Sequence, residues 1–434
     1  MGRIFVGIGF GAIQTGLFLR EAQLSGNFDR YIVAMRRADL VKAVNASGTV
    51  TVNIAMPDGI AVETYVDVEA RSLALPEDVA RLQQDLQAAH EISVAVSSVG
   101  DYVSDDEASL HRLIARAIAA KLQGKGPKVL IYSSENHNEA AALLQQAILS
   151  ALPASQHRDA SQVFQTVDTV IGKMSRVIRD QDEIEKAGLA PSTQQGSEAF
   201  LVEAFNHILV SQVDAKRTTG RGISQLVEKA DLVPFEHAKI HGHNATHAGF
   251  AYIGQVLGLK WMAEVAAKAQ VHRFFREAFL EESGEALIRL HGGKDPLFTR
   301  QGYRAYVDDL LRRMANPWLR DTCERIGRDV SRKLGWDDRL IGTIRLVRAQ
   351  NVSARRYGFA ALAAFEILGQ PWDSLIQSWI NSGASSAEAA EMADFLKALE
   401  PDYLAWRQGL LAELSVTGEA AGFPDNPQHV RKIP

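Results

Sequence analysis

The sequence predicts an α/β protein in two parts, a parallel-sheet domain over residues 1–215 followed by a mostly α-helical domain over residues 216–434. Three observations lead there. Short apolar runs alternate with helical patterns through the first half, a glycine-rich turn follows the first of those runs, and beyond about residue 216 the strand signal fades into helical periodicity.

The runs "RIFVGIG", "RYIVAM", "EISVAVSS" and "KVLIYSS" are rich in Ile, Val and Tyr and bounded by Gly, Asp or Ser, as buried strands are. The stretches "DDEASLHRLIARAIAAKL" and "NEAAALLQQAILSAL" repeat apolar residues every three or four positions. Strand, helix, strand in that order implies parallel pairing through right-handed crossovers. In the second half "AKIHGHNATHAGFAYIGQVLG", "YRAYVDDLLRRMAN" and "SARRYGFAALAAFEIL" carry helical periodicity, and "SSAEAAEMADFLKALE" opens on a Ser/Glu pair spaced like a capping box. The junction is expected near "TTGRGISQ".

A chain of 434 residues has room for two or three cores. Its 46% hydrophobic and 23% charged residues are those of a soluble globular protein, and no apolar run approaches the ~18–20 residues of a membrane span. The glycine-broken segment "RIFVGIGFGAIQTGLFL" reads as folded structure rather than a signal peptide. A net charge of -5 gives no basic excess to attract phosphate backbones, so the expected partner is a small molecule rather than nucleic acid or membrane. A single cysteine, Cys323, excludes an intrachain disulfide and suits the cytoplasm. Oligomeric state is not legible.

The turn "FVGIGFGAIQTG" lies between the first strand and the first helix. Glycines there let backbone approach a pyrophosphate while the helix N-terminus offers free N–H groups, the arrangement of a Rossmann-type dinucleotide seat. Two registers fit: Gly7, Gly9 and Ala12, or Gly9 and Gly11 followed by Gln14 in place of a third glycine. No acidic residue ends the second strand, where one would bind an NAD ribose. Arg36 and Arg37 stand there, fit for the 2′-phosphate of NADP or for a solvated helix start, and Asp39 follows. NAD is expected, with NADP open.

The densest chemistry is "EHAKIHGHNATH". On an α-helix at about 100° per residue, Glu236, His243, His247 and Asn244 fall on one arc with Lys239, while His237 and His241 point about 160–200° away from it. The pairs His237/His241 and His243/His247 have metal-ligand spacing, yet they diverge and lack the glutamate of an HExxH motif. No metal is expected. A polar helix face without a role is the bland alternative.

Taken with its surroundings, "PFEHAKIHGHNATH" resembles the signature of the polyol-specific long-chain dehydrogenases, the mannitol dehydrogenase family. In that signature a lysine is followed five residues later by asparagine and three further by histidine, with a glutamate three before the lysine; Lys239, Asn244, His247 and Glu236 match. "GFGAIQTG", "VAVSSVGDY", "SSENHNEAA", "TVDTVIGKM" and "NPWLRDTCERIGRDVSRKLGWDDRLIG" are similar to further segments of the family, and the last ninety residues match only loosely. The resemblance implies a dehydrogenase interconverting a polyol, its phosphate or a sugar acid with the ketose. It implies Lys239 as base, Asn136 and Asn244 as donors to the substrate oxygen, His247 as an orienting group and Glu236 as a proton outlet. Cofactor contacts would come from Gly9, Phe10, Gly11, Ala12, Ile13, Arg36, Asp39, Val99, Gly100, Glu135 and Asn136. Substrate contacts would come from Asp168, Lys173, His243, Arg332 and Lys333. The basic stretch with Lys216, Arg217 and Arg221 reads either as a site for an anionic substrate or as a solvated loop. A 3-hydroxyacid or 6-phosphogluconate type dehydrogenase, whose lysine-to-asparagine spacing is shorter, and a non-catalytic nucleotide-binding regulator are the rival readings.

Overall fold

The computed structural model describes residues 2–134, 139–194, 196–417 and 430–433. It divides into two compact units, Met1–Val233 with Asp425–Pro434, and Pro234–Pro424.

In the first unit β1 (Ile4–Ile8), β2 (Arg30–Met35), β5 (Val68–Ser72), β6 (Glu91–Val94), β7 (Val129–Ser133), β8 (Phe164–Val170), β11 (Leu209–Ser211) and β12 (Val227–Lys229) form one sheet, ordered β12-β11-β8-β7-β6-β1-β2-β5. All its pairings are parallel except β11 with β8. Parallel sheets are covered on both faces, and β1 displays this: Ile4, Val6 and Ile8 join one core with Leu86, Ile114 and Ile148 of the flanking helices, while Phe5 joins another.

That second core includes a feature the sequence pattern did not announce. β13 (Val430–Ile433), β4 (Gly59–Tyr65), β3 (Val50–Met56), β10 (Ala199–Glu203) and β9 (Ser175–Ile178) make a separate five-stranded sheet in that order. Val52 and Val202 of this sheet pack with Leu17 and Phe18 of the first helix. Gly16 makes the approach possible, since a Cβ there would lie 2.7 Å from Val202.

The units divide at Val233/Pro234, eighteen residues beyond the 215/216 boundary suggested by the sequence. The difference comes from β12, three residues long and too short to register as an apolar run, and from Glu91. Its buried carboxylate takes Arg3 at 2.7 Å, the Tyr132 hydroxyl at 2.7 Å and the backbone N–H of Gly222, fastening the loop before β12 to the sheet. In that loop Arg217 donates to the carbonyls of Ser161 and Phe164, and Arg221 to those of Ile223 and Leu226. Both guanidiniums tie down backbone.

The described part of the second unit is helical. The helices read from periodicity are present at Arg300–Met314, Arg355–Leu368 and Ser386–Thr417, and the last opens on the expected reciprocal cap: Ser385 N–H donates to Glu388 at 2.9 Å and Glu388 N–H to Ser385 Oγ at 3.2 Å. Among the described residues no helix is long and apolar enough to cross a membrane.

Candidate active site

In the first unit the glycine turn lies at the carboxyl end of β1. Gly9 adopts φ +105°, where a Cβ would meet the Ala95 carbonyl at 2.1 Å, so no side chain fits. A Cβ on Gly11 would have nothing within 4 Å. Gly7 has another reason to be glycine: the buried Gln14 side chain fills the space of its Cβ and accepts from Ser93 Oγ at 2.9 Å. Open space is therefore found at Gly11, whereas Gly7 and Gly9 are closely packed and the Gly9 N–H donates to the Ala34 carbonyl at 2.9 Å. Phe10 and Ile13 turn their side chains to the core, and Ala12 is buried, leaving their main chain to line the turn. This cradle fits a dinucleotide pyrophosphate.

Past β2, Arg37 is held by Asp39 at 2.6 Å and by Glu198 at 3.0 Å. Arg36 is exposed and, among the described residues, has no ion-pair partner. Val99 and Gly100 form a short 3-10 turn after β6, capped by Ser98, which accepts from Gly100 N–H at 3.2 Å. Asp168 accepts from Ala141 N–H at 2.7 Å, fixing the start of the helix Ala140–Ser150. Lys173 spends its ammonium on the carbonyls of Glu203 and Phe205 and on Asn206 Oδ1, and burial lowers it to about 7. Glu135 and Asn136 lie outside the described residues.

In the second unit "EHAKIHGHNATH" is helical, with a difference from the sequence expectation. Val233–His237 is α-helical, Ala238–Asn244 is a π-turn, and Ala245–Val256 returns to α. In a π-turn the hydrogen bond runs from i to i+5, so Lys239 and Asn244 stand one full turn apart and share a face more closely than an α-helix allows. A second π-turn, Ala278–Gly284, packs against the first. Gly242 permits the approach, since a Cβ there would lie 2.4 Å from the Phe279 ring.

Lys239 is partly buried. Burial and the neighbouring Arg339 lower its pKa to about 8, with Glu236 opposing. Burial also drops His247 to about 3, helped by Arg325, Arg339, Lys333 and Arg313, and pushes His243 well below its usual value. Both imidazoles are neutral at pH 7, and His247 Nε2 is buried without a hydrogen-bond partner among the described residues. His237 Nδ1 lies 3.0 Å from His291 Nε2. Among the described residues no three His, Cys, Asp or Glu side chains group as metal ligands. Lys333 donates to the carbonyls of Ile326 and Arg328, and Arg332 pairs with Asp338 at 3.0 Å. Sequence reasoning quoted "GWDDRLIG" without singling out Arg339, the charge nearest in effect to Lys239; an arginine in a charge-rich loop gives no spacing signal.

Residues 231–366 match the model of the mannitol dehydrogenase C-terminal domain. The mannitol-1-phosphate 5-dehydrogenase of Bacillus subtilis (strain 168) is 25% identical over 283 residues, 65% of this chain and 70% of that protein. That of Bacillus pumilus (strain SAFR-032) is 25% identical over 360 residues, 82% and 87% of the two chains. Among solved structures, the Pseudomonas fluorescens mannitol 2-dehydrogenase ternary complex with NAD and D-mannitol superposes with a TM-score of 0.70 at 14% identity, covering 95% of each chain. A D-sorbitol dehydrogenase in substrate-free form gives 0.69 at 14% identity over 85% of this chain and 81% of that one. The fold is that of these solved structures. The resemblance read from "PFEHAKIHGHNATH" is borne out, since that segment lies within the part of the chain that matches the mannitol dehydrogenase C-terminal domain.

Proposed function

We propose that the protein is an NAD(P)-dependent, metal-independent dehydrogenase interconverting a secondary alcohol of a polyol, its phosphate or a sugar acid with the corresponding ketose, with Lys239 as general base. The observation that supports this is Lys239 itself, lowered to about 8 on a π-turn whose last residue is Asn244, with His247 three residues further on the following α-helix. A base poised near the working pH transfers protons most effectively. A regulator without turnover has no use for such a lysine.

Neutral Lys239 takes the hydroxyl proton, and Asn244 steadies the developing oxyanion by amide donation. His247, uncharged at pH 7, orients the substrate hydroxyls, and Glu236, one α-turn before the lysine, receives the proton on its way to solvent. Asn136 is a second amide donor in this reading. The oxidised nicotinamide, when bound, accepts the hydride. The glycine turn around Gly9 and Gly11 would hold its pyrophosphate, and the mannitol 2-dehydrogenase of similar fold, a complex with NAD and D-mannitol, favours NAD.

The test is a panel of free polyols, polyol phosphates and aldonates run with NAD and with NADP. Oxidation of one class with either cofactor supports the reading, and no turnover on any member overturns it.

A further inference from the structure

Half a turn from Lys239 on the same π-turn, His241 faces away from the proposed chemistry and lines a cavity of about 700 Å³ built entirely within the second unit. Its other walls are Trp336 and Asp337, the helix Ile341–Ala349 through Arg345 and Arg348, and the first turns of Ser386–Thr417 through Glu388 and Glu391.

The protonation of His241 follows from its neighbours. Thr343 Oγ1 donates to the Arg339 carbonyl at 2.5 Å, which uses its only proton. At 3.1 Å from His241 Nδ1, the same oxygen therefore accepts, and Nδ1 carries the hydrogen. Burial, with His237 beside it, keeps the ring neutral. Nε2 is left with a lone pair and no partner among the described residues, an acceptor on a residue that lines the cavity.

Two cations stand on one helix face, three residues apart. Arg345 lies over the Trp336 ring at 4.0 Å and Arg348 over Phe395 at 4.7 Å, so stacking holds both guanidiniums by their faces and leaves hydrogen bonding to their edges. Arg345 donates to the Trp336 carbonyl at 3.0 Å and to Asp337, and Arg348 to Glu391 at 2.7 Å; both carboxylates are exposed, and such surface pairs contribute little. Glu388 is turned to capping Ser385. A ligand with its own negative charge displaces a weakly held carboxylate at small cost, and a hydroxyl on it satisfies His241.

We propose that this cavity binds a small hydroxylated anion, a polyol phosphate or hydroxy acid, between Arg345, Arg348 and the Nε2 of His241, separately from the site of Lys239. The proposal stands whether or not Lys239 is the base.

The experiment is calorimetric titration of the full-length chain with gluconate and with mannitol 1-phosphate, beside inorganic phosphate and mannitol as controls carrying only charge or only hydroxyls. To remove any contribution from the chemical site, Lys239→Ala protein is titrated in parallel. At least one hydroxylated anion should bind both proteins, more tightly than either control, and the double variant Arg345→Gln/Arg348→Gln should bind it about tenfold to hundredfold more weakly. Since neither arginine is buried, the double variant is expected to fold, which circular dichroism checks. His241→Phe should lose the preference for hydroxylated over simple anions. Binding that survives the double variant unchanged, or no binding to the Lys239→Ala protein, overturns the proposal. Failure of the polyol panel with binding intact would count against the dehydrogenase reading alone.

Discussion

The Tyr357 hydroxyl lies 2.9 Å from Thr246 Oγ1 and 2.9 Å from Ser283 Oγ, in a buried position. Thr246 belongs to the helix that follows the first π-turn and Ser283 to the second π-turn, so one phenol ties both irregular segments together.

Tyr357→Phe leaves two buried hydroxyls short of a partner while preserving the ring's packing. The expected cost is about 1–3 kcal/mol of unfolding free energy, read as a lower midpoint in urea with an unchanged slope. A midpoint equal to that of the parent protein would mean the three hydroxyls are not coupled.

Glu282, beside Ser283, accepts from Arg356 N–H at 2.8 Å and Tyr357 N–H at 3.1 Å, yet burial raises it to about 7. A carboxyl raised above its unfolded value binds more protons when folded, so the stability it contributes is present below about 4.5 and lost as pH rises through about 7. Unfolding midpoints should therefore fall between pH 5 and pH 7, and Glu282→Gln should flatten that slope at whatever absolute level it has.

Cofactor preference should depend on Arg36 more than Arg37, whose guanidinium is already engaged by Asp39 and Glu198. Arg36→Gln is expected to weaken NADP by about ten- to hundredfold with little change for NAD, as loss of a charge-assisted phosphate contact would. Dissociation constants for the two cofactors check it; equal shifts would make Arg36 a surface residue only.

Much of this was legible because apolar runs in parallel sheets are continuous. "RYIVAM" is β2 residue for residue, and Lys239, Asn244 and His247 stood out as candidates through the resemblance carried by their segment. The five-stranded sheet was not legible: β9 exposes most of its residues partly and β13 is four residues long, so neither makes an apolar run. The π-turns were invisible for a related reason. One extra residue in a helix shifts the phase of the periodicity without erasing it, and only the mid-helix glycines Gly242 and Gly284 hint at the wide, closely packed turns.

Metal independence is expected to show as turnover unchanged after exhaustive chelation, with no stoichiometric zinc by elemental analysis. Activity lost on chelation and restored by zinc would return the histidine pairs to the mechanism.

Lys239 is where catalyst and scaffold separate. Lys239→Ala should lower polyol oxidation by about a hundredfold to ten-thousandfold and leave dinucleotide affinity nearly intact, because the residue acts on the reacting proton. In the parent enzyme the base is the neutral amine, so oxidation should rise with pH through about 8, the value set by burial and Arg339 against Glu236. Arg339→Gln removes one of the two lowering influences and should move that limb upward, a shift that a purely structural lysine would not produce. In Lys239→Ala the limb should vanish, and small added amines should restore part of the rate. A variant oxidising its best substrate at the parent rate with the same pH profile would make Lys239 part of the scaffold and leave the π-turn without its proposed chemistry.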